Sequence, residues 1–331
     1  MSSVDVIVPC YRYGRYLPQC VQSVLTQLGP TVRVLIIDDA SPDDTSEIAS
    51  DLARGDSRVT FWQHASNKGH IATYNEGIEW VSADYMLLLS ADDYLLPGAL
   101  GRAAKVLDAH PEVGFTFGEA LRIDDSSVTA QPSNPEDTNS VQILSGMQFI
   151  RLCAASNIVP SPTAVVRAGL QKRIGGYRPE LPHSGDMEMW LRFGSQAAVA
   201  KIGAYQAVYR RHSQNMSLSY MENAWLRDLE QRKAALTCFF EFCADKLPDC
   251  EQLRRKLLRS LACTALGCAN HALGRDEVKS CDQLMQFATS VYPQAKRSLR
   301  WMRLSLKRTV LYGSAFAIRQ ARTGKAESSE N

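Results

Sequence analysis

Three acidic positions have the type and spacing to do chemistry together: Asp38-Asp39, Asp92-Asp93 and Asp186. Two adjacent carboxylates in a cleft repel each other unless a cation or a hydrogen-bond donor lies between them. A hard divalent metal that holds a phosphate group answers that need. The stretch Tyr85-Met-Leu-Leu-Leu-Ser-Ala-Asp-Asp93 shows the arrangement most clearly, because a short apolar run stops abruptly at the acid pair. A bounded run of this kind reads as a buried strand. The C-terminal edge of such strands is where open α/β sheets bind ligands. Asp38-Asp39 ends a second apolar run, Val32–Ile37. Capping and turn formation are the alternative role for that pair.

The elements that must carry these residues alternate. Strands are predicted at Val4–Pro9, Val32–Ile37, Val59–Gln63, over the opening run, and at Val113–Phe117. Helices are read between them: over Tyr16–Gln27, through Ala53 after the N-cap segment Ser41-Pro-Asp-Asp-Thr45, to about Val81 after the turn Asn67-Lys-Gly69, and from Pro97 to His110. Such alternation predicts parallel βαβ units with right-handed crossovers. The acid pairs are then expected on neighbouring strands at one sheet edge. Residues 124–140 read as a polar loop. Ser145–Ala155 reads as a helix, Thr163–Arg167 as a strand, Gly175-Gly-Tyr177 as a turn, and Asp186–Gly194 as a helix. Val199–Ile202 and Ala207–Arg210 read as two further strands. From about 220 onward long helical patterns take over, near 220–246, 250–273, 276–291 and 295–321.

The chain of 331 residues is 45% hydrophobic, enough for a sizeable core with an appendage. Its net charge of +2 hides an asymmetry. Residues 296–331 hold nine Lys/Arg and two Glu, so the rest of the chain is mildly acidic. The nine cysteines include no C-x-x-C pair, which argues against a zinc site or a disulfide framework and for thiols in a reducing cytosol. The first residues enter a strand pattern without a basic flank and apolar stretch, so no secretory leader is expected. No run of 18 or more apolar residues is found, so no spanning helix is expected.

Taken in order, Val8-Pro-Cys-Tyr11, Ile36-Ile-Asp-Asp-Ala-Ser41, Asn67-Lys-Gly69, Tyr74-Asn-Glu-Gly77 and Ser90-Ala-Asp-Asp93 resemble the family 2 glycosyltransferases over roughly residues 3–217. The resemblance implies an α/β GT-A fold: a mostly parallel sheet flanked by helices, with a nucleotide-sugar half to about 120 and an acceptor half from 121 to 217. It implies that Pro9 shapes the first loop and that Tyr11 stacks on the base. Asp39 would accept from a uracil nitrogen, with Asp38 fixing the nucleoside. Lys68 would lie near the diphosphate as a point charge. The family usually has Asn after this Tyr; here Arg12 stands there. In the family's Asp-x-Asp metal motif the first acid is replaced by Ser90, which would contact the ribose of the donor or a metal-bound water, and Asp92 is left as the implied ligand to Mn²⁺ or Mg²⁺. Asp93 extends the site.

Ser184-Gly-Asp-Met-Glu-Met-Trp-Leu-Arg192 resembles the family's catalytic segment, with Gly185 in place of the usual Glu. The resemblance makes Asp186 the base that deprotonates an acceptor hydroxyl in a single inverting displacement. Capping the following helix is its other role. Glu188 points elsewhere, as a solvated or structural acid. Trp190, i+4 from Asp186, either lines the acceptor pocket or packs in the core. Arg210-Arg-His-Ser-Gln-Asn-Met-Ser217 resembles the segment that closes many such domains. There His212 would meet the metal or diphosphate, and Arg210 or Arg211 would add positive charge. A structural histidine is the alternative for His212.

The region 218–331 lies outside the resemblance. In its basic tail, 296–325, Leu299, Met302, Leu306, Val310 and Phe316 fall near one helical face, with Trp301 and Tyr312 nearby. Two readings stand: an interfacial helix on an anionic membrane surface, or a helix packed on the body or on a subunit. Nucleic acid is not expected, since no binding module accompanies the charge. Together these readings predict a cytoplasmic enzyme, peripheral on the inner face of the membrane. Its donor would be a nucleotide sugar, UDP-linked, and its acceptor a glycan or a polyprenyl-diphosphate-linked glycan. A non-catalytic sugar-nucleotide-binding scaffold is the competing reading, resting on Ser90 and Gly185. A nucleotidyltransferase is disfavoured, for want of a glycine-rich basic loop near the first strand.

Overall fold

The computed structural model describes residues 1–124, 140–213, 215, 224–244, 247 and 249–313. Strand β1 (Ser3–Cys10) is rich in β-branched residues and sits inside the sheet. It pairs in parallel with β2 (Thr31–Asp38) on one side and β4 (Tyr85–Leu88) on the other. Strand β3 (Val59–Gln63) pairs in parallel with β2. The acid pairs therefore follow strands at the same edge, but β1 lies between those strands. They are not neighbours as expected, because the chain crosses over β1 to place β4.

Beyond β4 the sheet becomes mixed. Strand β8 (Val165–Arg167) runs antiparallel to both β4 and β6 (Val113–Asp124). Strand β9 (Ala198–Arg211) runs parallel to β6, and carries β5 (Tyr94–Leu95) and β7 (Val141–Leu144) antiparallel. The order is β3-β2-β1-β4-β8-β6-β9-β5, with β7 on β9. The two strands expected at 199–202 and 207–210 are one strand of 14 residues. Gly203 reads as a break in the sequence, but its N–H bonds the Ser140 carbonyl and register shifts on β6 absorb the irregularity. Strand β6 likewise continues to Asp124, past the predicted Phe117, because β9 extends beside it.

Alternation on the strands sorts the core into two layers. Val4, Val6 and Val8 with Val34 and Ile36 face one layer. It is covered by α1 (Leu17–Leu25), α2 (Thr45–Gly55) and α4 (Ala99–Ala109). Ile7, Leu35, Ile37 and Met86 face the other. That layer meets α3 (His70–Trp80), α5 (Gly146–Cys153), α6 (Ala168–Ile174) and α7 (Gly185–Gly194). It runs on without a gap into α8 (Ala224–Cys243), α9 (Cys250–Leu273), α10 (Val278–Val291) and α11 (Leu299–Arg308). Helix α7 leads into this bundle by packing on α8. Strand β7 and helix α6 had no clear sequence signal. The expected helix 295–321 starts later, at Leu299, after a separate 3-10 turn at Pro293–Arg297. Phe316, most of the loop 124–140 and the boundary near 215–220 lie outside the described residues. No described helix is long and apolar enough to cross a membrane.

Asp5 is the one charged residue inside β1 and is fully buried. Arg33 meets it with two bonds of 2.8 and 2.7 Å, and the N–H groups of Ser82 and Ala83 donate to its Oδ2. It latches the start of β4 to β1, which sets the height at which Asp92 leaves the sheet.

Candidate active site

The C-terminal ends of β1 to β4 open into a cleft of about 1110 Å³. Pro9, Tyr11, Asp39, Ser90, Asp92, Asp93 and Asp186 line it. Asp38, Lys68, Arg211 and His212 do not. The lining candidates thus gather at one place from the ends of β1, β2 and β4 and from α7, across more than half of the chain.

Tyr11 lies on the rim and is 41% exposed. The next residue, Arg12, has a φ of 66°, in the left-handed region. Its N–H donates to Ser41 Oγ at 2.9 Å, and Ser41 N–H donates to Asp38 Oδ1 at 2.9 Å. Asp38 is fully buried and acts through this relay, shaping the loop that presents Tyr11. Asp39 faces the cleft. Its carboxylate accepts from Lys68 N–H at 2.7 Å and Gly69 N–H at 2.9 Å. A third partner is His64 Nδ1, 2.7 Å from Oδ1. An ionised carboxylate has about four acceptor sites, so one remains for a ligand. The other nitrogen of His64 lies 2.7 Å from Glu76 Oε2, and Glu76 Oε1 accepts from Lys68 Nζ at 2.7 Å. The Lys68 ammonium is thus paired on the surface and must leave Glu76 to reach a phosphate.

Strand β4 stops at Leu88, and Ser90–Asp93 forms the turn after it. Ser90 Oγ donates to Asp92 Oδ1 at 2.5 Å. On Oδ2, Asp92 meets His212 Nε2 at 3.1 Å and Asn215 Nδ2 at 3.0 Å. His212 is buried, stacked on Tyr16 with centroids 5.1 Å apart. It reaches the cleft only through Asp92. Asp93 accepts from Arg210 N–H at 3.0 Å, and burial and then the Asp92 charge hold its carboxyl well above the usual range. Arg210 is buried: its Nε donates to the Asp92 carbonyl, and it donates to Gln19 at 2.6 Å. Arg211 is exposed at the end of β9.

Asp186 lies in the first turn of α7, where it also suits the positive end of the helix. Ser161 Oγ donates to its Oδ2 and Tyr177 bonds it as well. Burial raises its pKa above the ordinary carboxylate value. The bonds from Ser161 and Tyr177, and the nearby His70 and His183, pull the other way. Tyr177 is held by Asn75, which both donates to its carbonyl at 2.9 Å and accepts from its N–H at 2.7 Å. Glu188 is not solvated. It is fully buried, and Arg192 and Arg178 meet its two oxygens at 2.9 and 3.1 Å. Arg192 also donates to the carbonyls of Ile174 and Gly176, so the pair anchors the loop that carries Tyr177. Trp190 is buried and stacks on Phe115 at 5.2 Å, away from the cleft.

Residues 5–172 match the sequence profile described as Glycosyl transferase family 2. The chain belongs to the family 2 glycosyltransferases. It is 27% identical over 220 residues to an uncharacterized protein of Mycobacterium tuberculosis, covering 63% of this chain and 67% of that one. An uncharacterized glycosyltransferase of Rickettsia typhi is 26% identical over 192 residues, covering 57% and 58%. The chain thus aligns with about two thirds or less of the length of these curated relatives. Among solved structures it resembles S. aureus TarS 1-349 in complex with UDP-GlcNAc, with a TM-score of 0.58 at 16% identity, covering 86% of this chain and 90% of that one. It also resembles mannosyltransferase PcManGT from Pyrobaculum calidifontis in complex with GDP-Man and Mn²⁺, with a TM-score of 0.52 at 13% identity, covering 88% and 86%. The fold is GT-A.

Two departures from the family pattern now have a local setting. Ser90, where an acid is usual, turns its hydroxyl onto Asp92 and fixes that carboxylate. A Cβ grown on Gly185 would lie 3.2 Å from the Tyr177 ring, so Tyr177 occupies the flank of Asp186 that a larger residue would crowd. Among the described residues no group of three or more His, Cys, Asp or Glu is placed to hold a metal. Asp92 and Asp93 face the cleft, while His212 bonds Asp92 from behind, so a cation here would need oxygens from a bound substrate to complete its shell.

The sequence reading missed His64, Ser161 and Tyr177. His64 follows β3 at the sheet edge that holds the acid pairs, a placement that could have flagged it. Ser161 opens a short 3-10 turn, Ser161–Thr163, and Tyr177 sits on a loop, with no periodicity to connect them to Asp186.

Proposed function

We propose that this chain is an inverting glycosyltransferase. It moves a sugar from a nucleotide-diphosphate donor, UDP-linked, to a hydroxyl of a glycan or polyprenyl-diphosphate-linked acceptor in bacterial cell-surface polysaccharide synthesis. The observation that carries this reading is that Asp92, Asp93 and Asp186 line one cleft. The Tyr11 ring on the rim supplies a stacking face for the base, and the remaining acceptor site on Asp39 suits a ring N–H. Asp92 would hold a divalent cation, Mn²⁺ or Mg²⁺, and His212, expected from the sequence to meet that metal, would instead fix the Asp92 carboxylate from behind. Such a cation supplies Lewis-acid stabilisation of the charge on the leaving diphosphate. The neighbouring structures with UDP-GlcNAc and with GDP-Man and Mn²⁺ support a donor of this class.

Asp186 takes the proton of the attacking hydroxyl. Burial raises its pKa, which makes it a better proton acceptor than a solvated carboxylate while it is ionised. Ser161 and Tyr177 aim it by holding one face of the carboxylate. One base and one leaving-group site suffice for a single displacement, which inverts the anomeric centre. The Asp186→Asn variant should lose about 10²–10⁴-fold in transfer rate with donor affinity unchanged. Transfer would be read with a panel of nucleotide sugars and donor affinity by calorimetry with UDP. Wild-type transfer by this variant would overturn the base assignment.

A further inference from the structure

Helix α11 closes the described part of the helical bundle, and its two sides have opposite environments. Leu304 is buried, Trp301 packs on the core, and Arg308 donates to Asp282 of α10 at 2.7 Å. These residues pin one side of the helix to the body. At 100° per residue, Leu299, Met302 and Leu306 fall on the opposite side, and Val310 continues their line one turn further on. They are 67%, 46%, 66% and 64% exposed. Four of the twelve exposed large apolar side chains among the described residues lie on this single stripe. Arg300, Arg303 and Lys307 flank one border, all exposed, with Lys296 and Arg297 exposed just before the helix. No acid occurs from 296 to 313.

We propose that this face of α11 docks on an anionic phospholipid surface, lying in the plane of the headgroups with the apolar stripe inserted. The two sequence readings of the basic tail then belong to two sides of one helix, one packed on the body and the other turned to lipid. Charge decides the occupant. The cations bordering the stripe match anionic headgroups. A second copy of the chain would bring the same positive border against itself, which repels across a self-complementary contact. Docking here does not depend on what the cleft catalyses, so it stands or falls separately from the proposed transfer reaction.

Co-sedimentation of the full chain with phosphatidylcholine vesicles, with and without phosphatidylglycerol, tests this. Binding should require phosphatidylglycerol and weaken as salt is raised. A Met302→Ser, Leu306→Ser variant should bind about tenfold or more weakly. An Arg303→Glu, Lys307→Glu variant should bind at least about twentyfold more weakly, near fivefold for each cation removed. All four positions are exposed, and circular dichroism confirms that the variants fold. Equal sedimentation with both vesicle types, or variants that bind like wild type, would overturn the proposal. So would a self-associated form in sedimentation velocity that the serine variant disperses, because a second copy would then cover the stripe.

Discussion

Asp186 shows how much chemistry a few contacts control. It acts as a base only when ionised, and burial raises its pKa, so transfer should fall as pH drops through that raised value. The hydroxyls of Ser161 and Tyr177 stabilise the ionised form. Removing either, in Ser161→Ala or Tyr177→Phe, should therefore move the acid limb of the kcat/KM profile to higher pH, with activity partly recovered in alkali. A variant that lowers the rate equally at every pH would show that the hydroxyl does not tune the base. Asp93 carries a related cost. Burial and the charge of Asp92 disfavour its ionised form, so its contribution to stability is present at low pH and lost as pH rises through its raised folded value. Asp93→Asn keeps an oxygen for Arg210 N–H and removes the charge. It should raise the Tm of the ligand-free protein by a few degrees at neutral pH, a gain that disappears in acid, while weakening donor binding. Scanning calorimetry at two pH values separates these outcomes.

Helix α7 connects the base to the body through the buried pair Glu188–Arg192. Two buried charges persist because each is satisfied: Glu188 by Arg192 and Arg178, and Arg192 also by the carbonyls of Ile174 and Gly176. Replacing one partner strands the other. Arg192→Met should cost about 3–5 kcal/mol in urea denaturation. It should also release the loop that presents Tyr177, so that transfer falls by more than the loss of folded protein explains. The apolar positions Met187, Trp190, Leu191 and Phe193 announce a helix, and on that helix Asp186, Glu188 and Trp190 take three different roles. Its N-terminal turn faces the cleft, while the rest is surrounded by β6, α5, α6 and α8. Strand β9 is the converse case. Gly203 suggests two short strands, yet three partner strands hold one continuous strand through it.

Across the whole molecule the apolar layer on one face of the sheet is shared with the C-terminal helices. Phe115 and Trp190 of the α/β part belong to the same core as Phe239, Leu257, Leu266 and Leu304. A composition change near 220 marks where strands give way to helices, but no break in packing accompanies it. Thermal unfolding should accordingly be one cooperative transition. Phe239→Ala, which empties a fully buried site in α8, should destabilise the whole protein by about 3–5 kcal/mol. Two resolved calorimetric transitions, with only the second shifted, would show that the helices fold independently. The same continuity gives α11 a rigid seat, so that its exposed stripe keeps a set orientation relative to the cleft.

The local pattern of residues determined the parallel half of the sheet, the helices between its strands, and the acid-bearing turns at its edge. Those features rest on alternation and spacing within short windows, which act before any long-range contact forms. The gathering of Asp39, Asp92 and Asp186 was legible only as a consequence of parallel topology and of family resemblance. Tertiary structure alone decided the rest. Whether Asp38 meets a ligand or a neighbouring loop depends on which way one buried side chain turns, and it turns to Ser41. Whether His212 lies in the cleft or behind it depends on the path of β9, which tucks the ring against Tyr16 and leaves Asp92 in front. Ser161 and Tyr177 reach Asp186 through contacts between distant segments, and no periodicity in a sequence encodes such a contact.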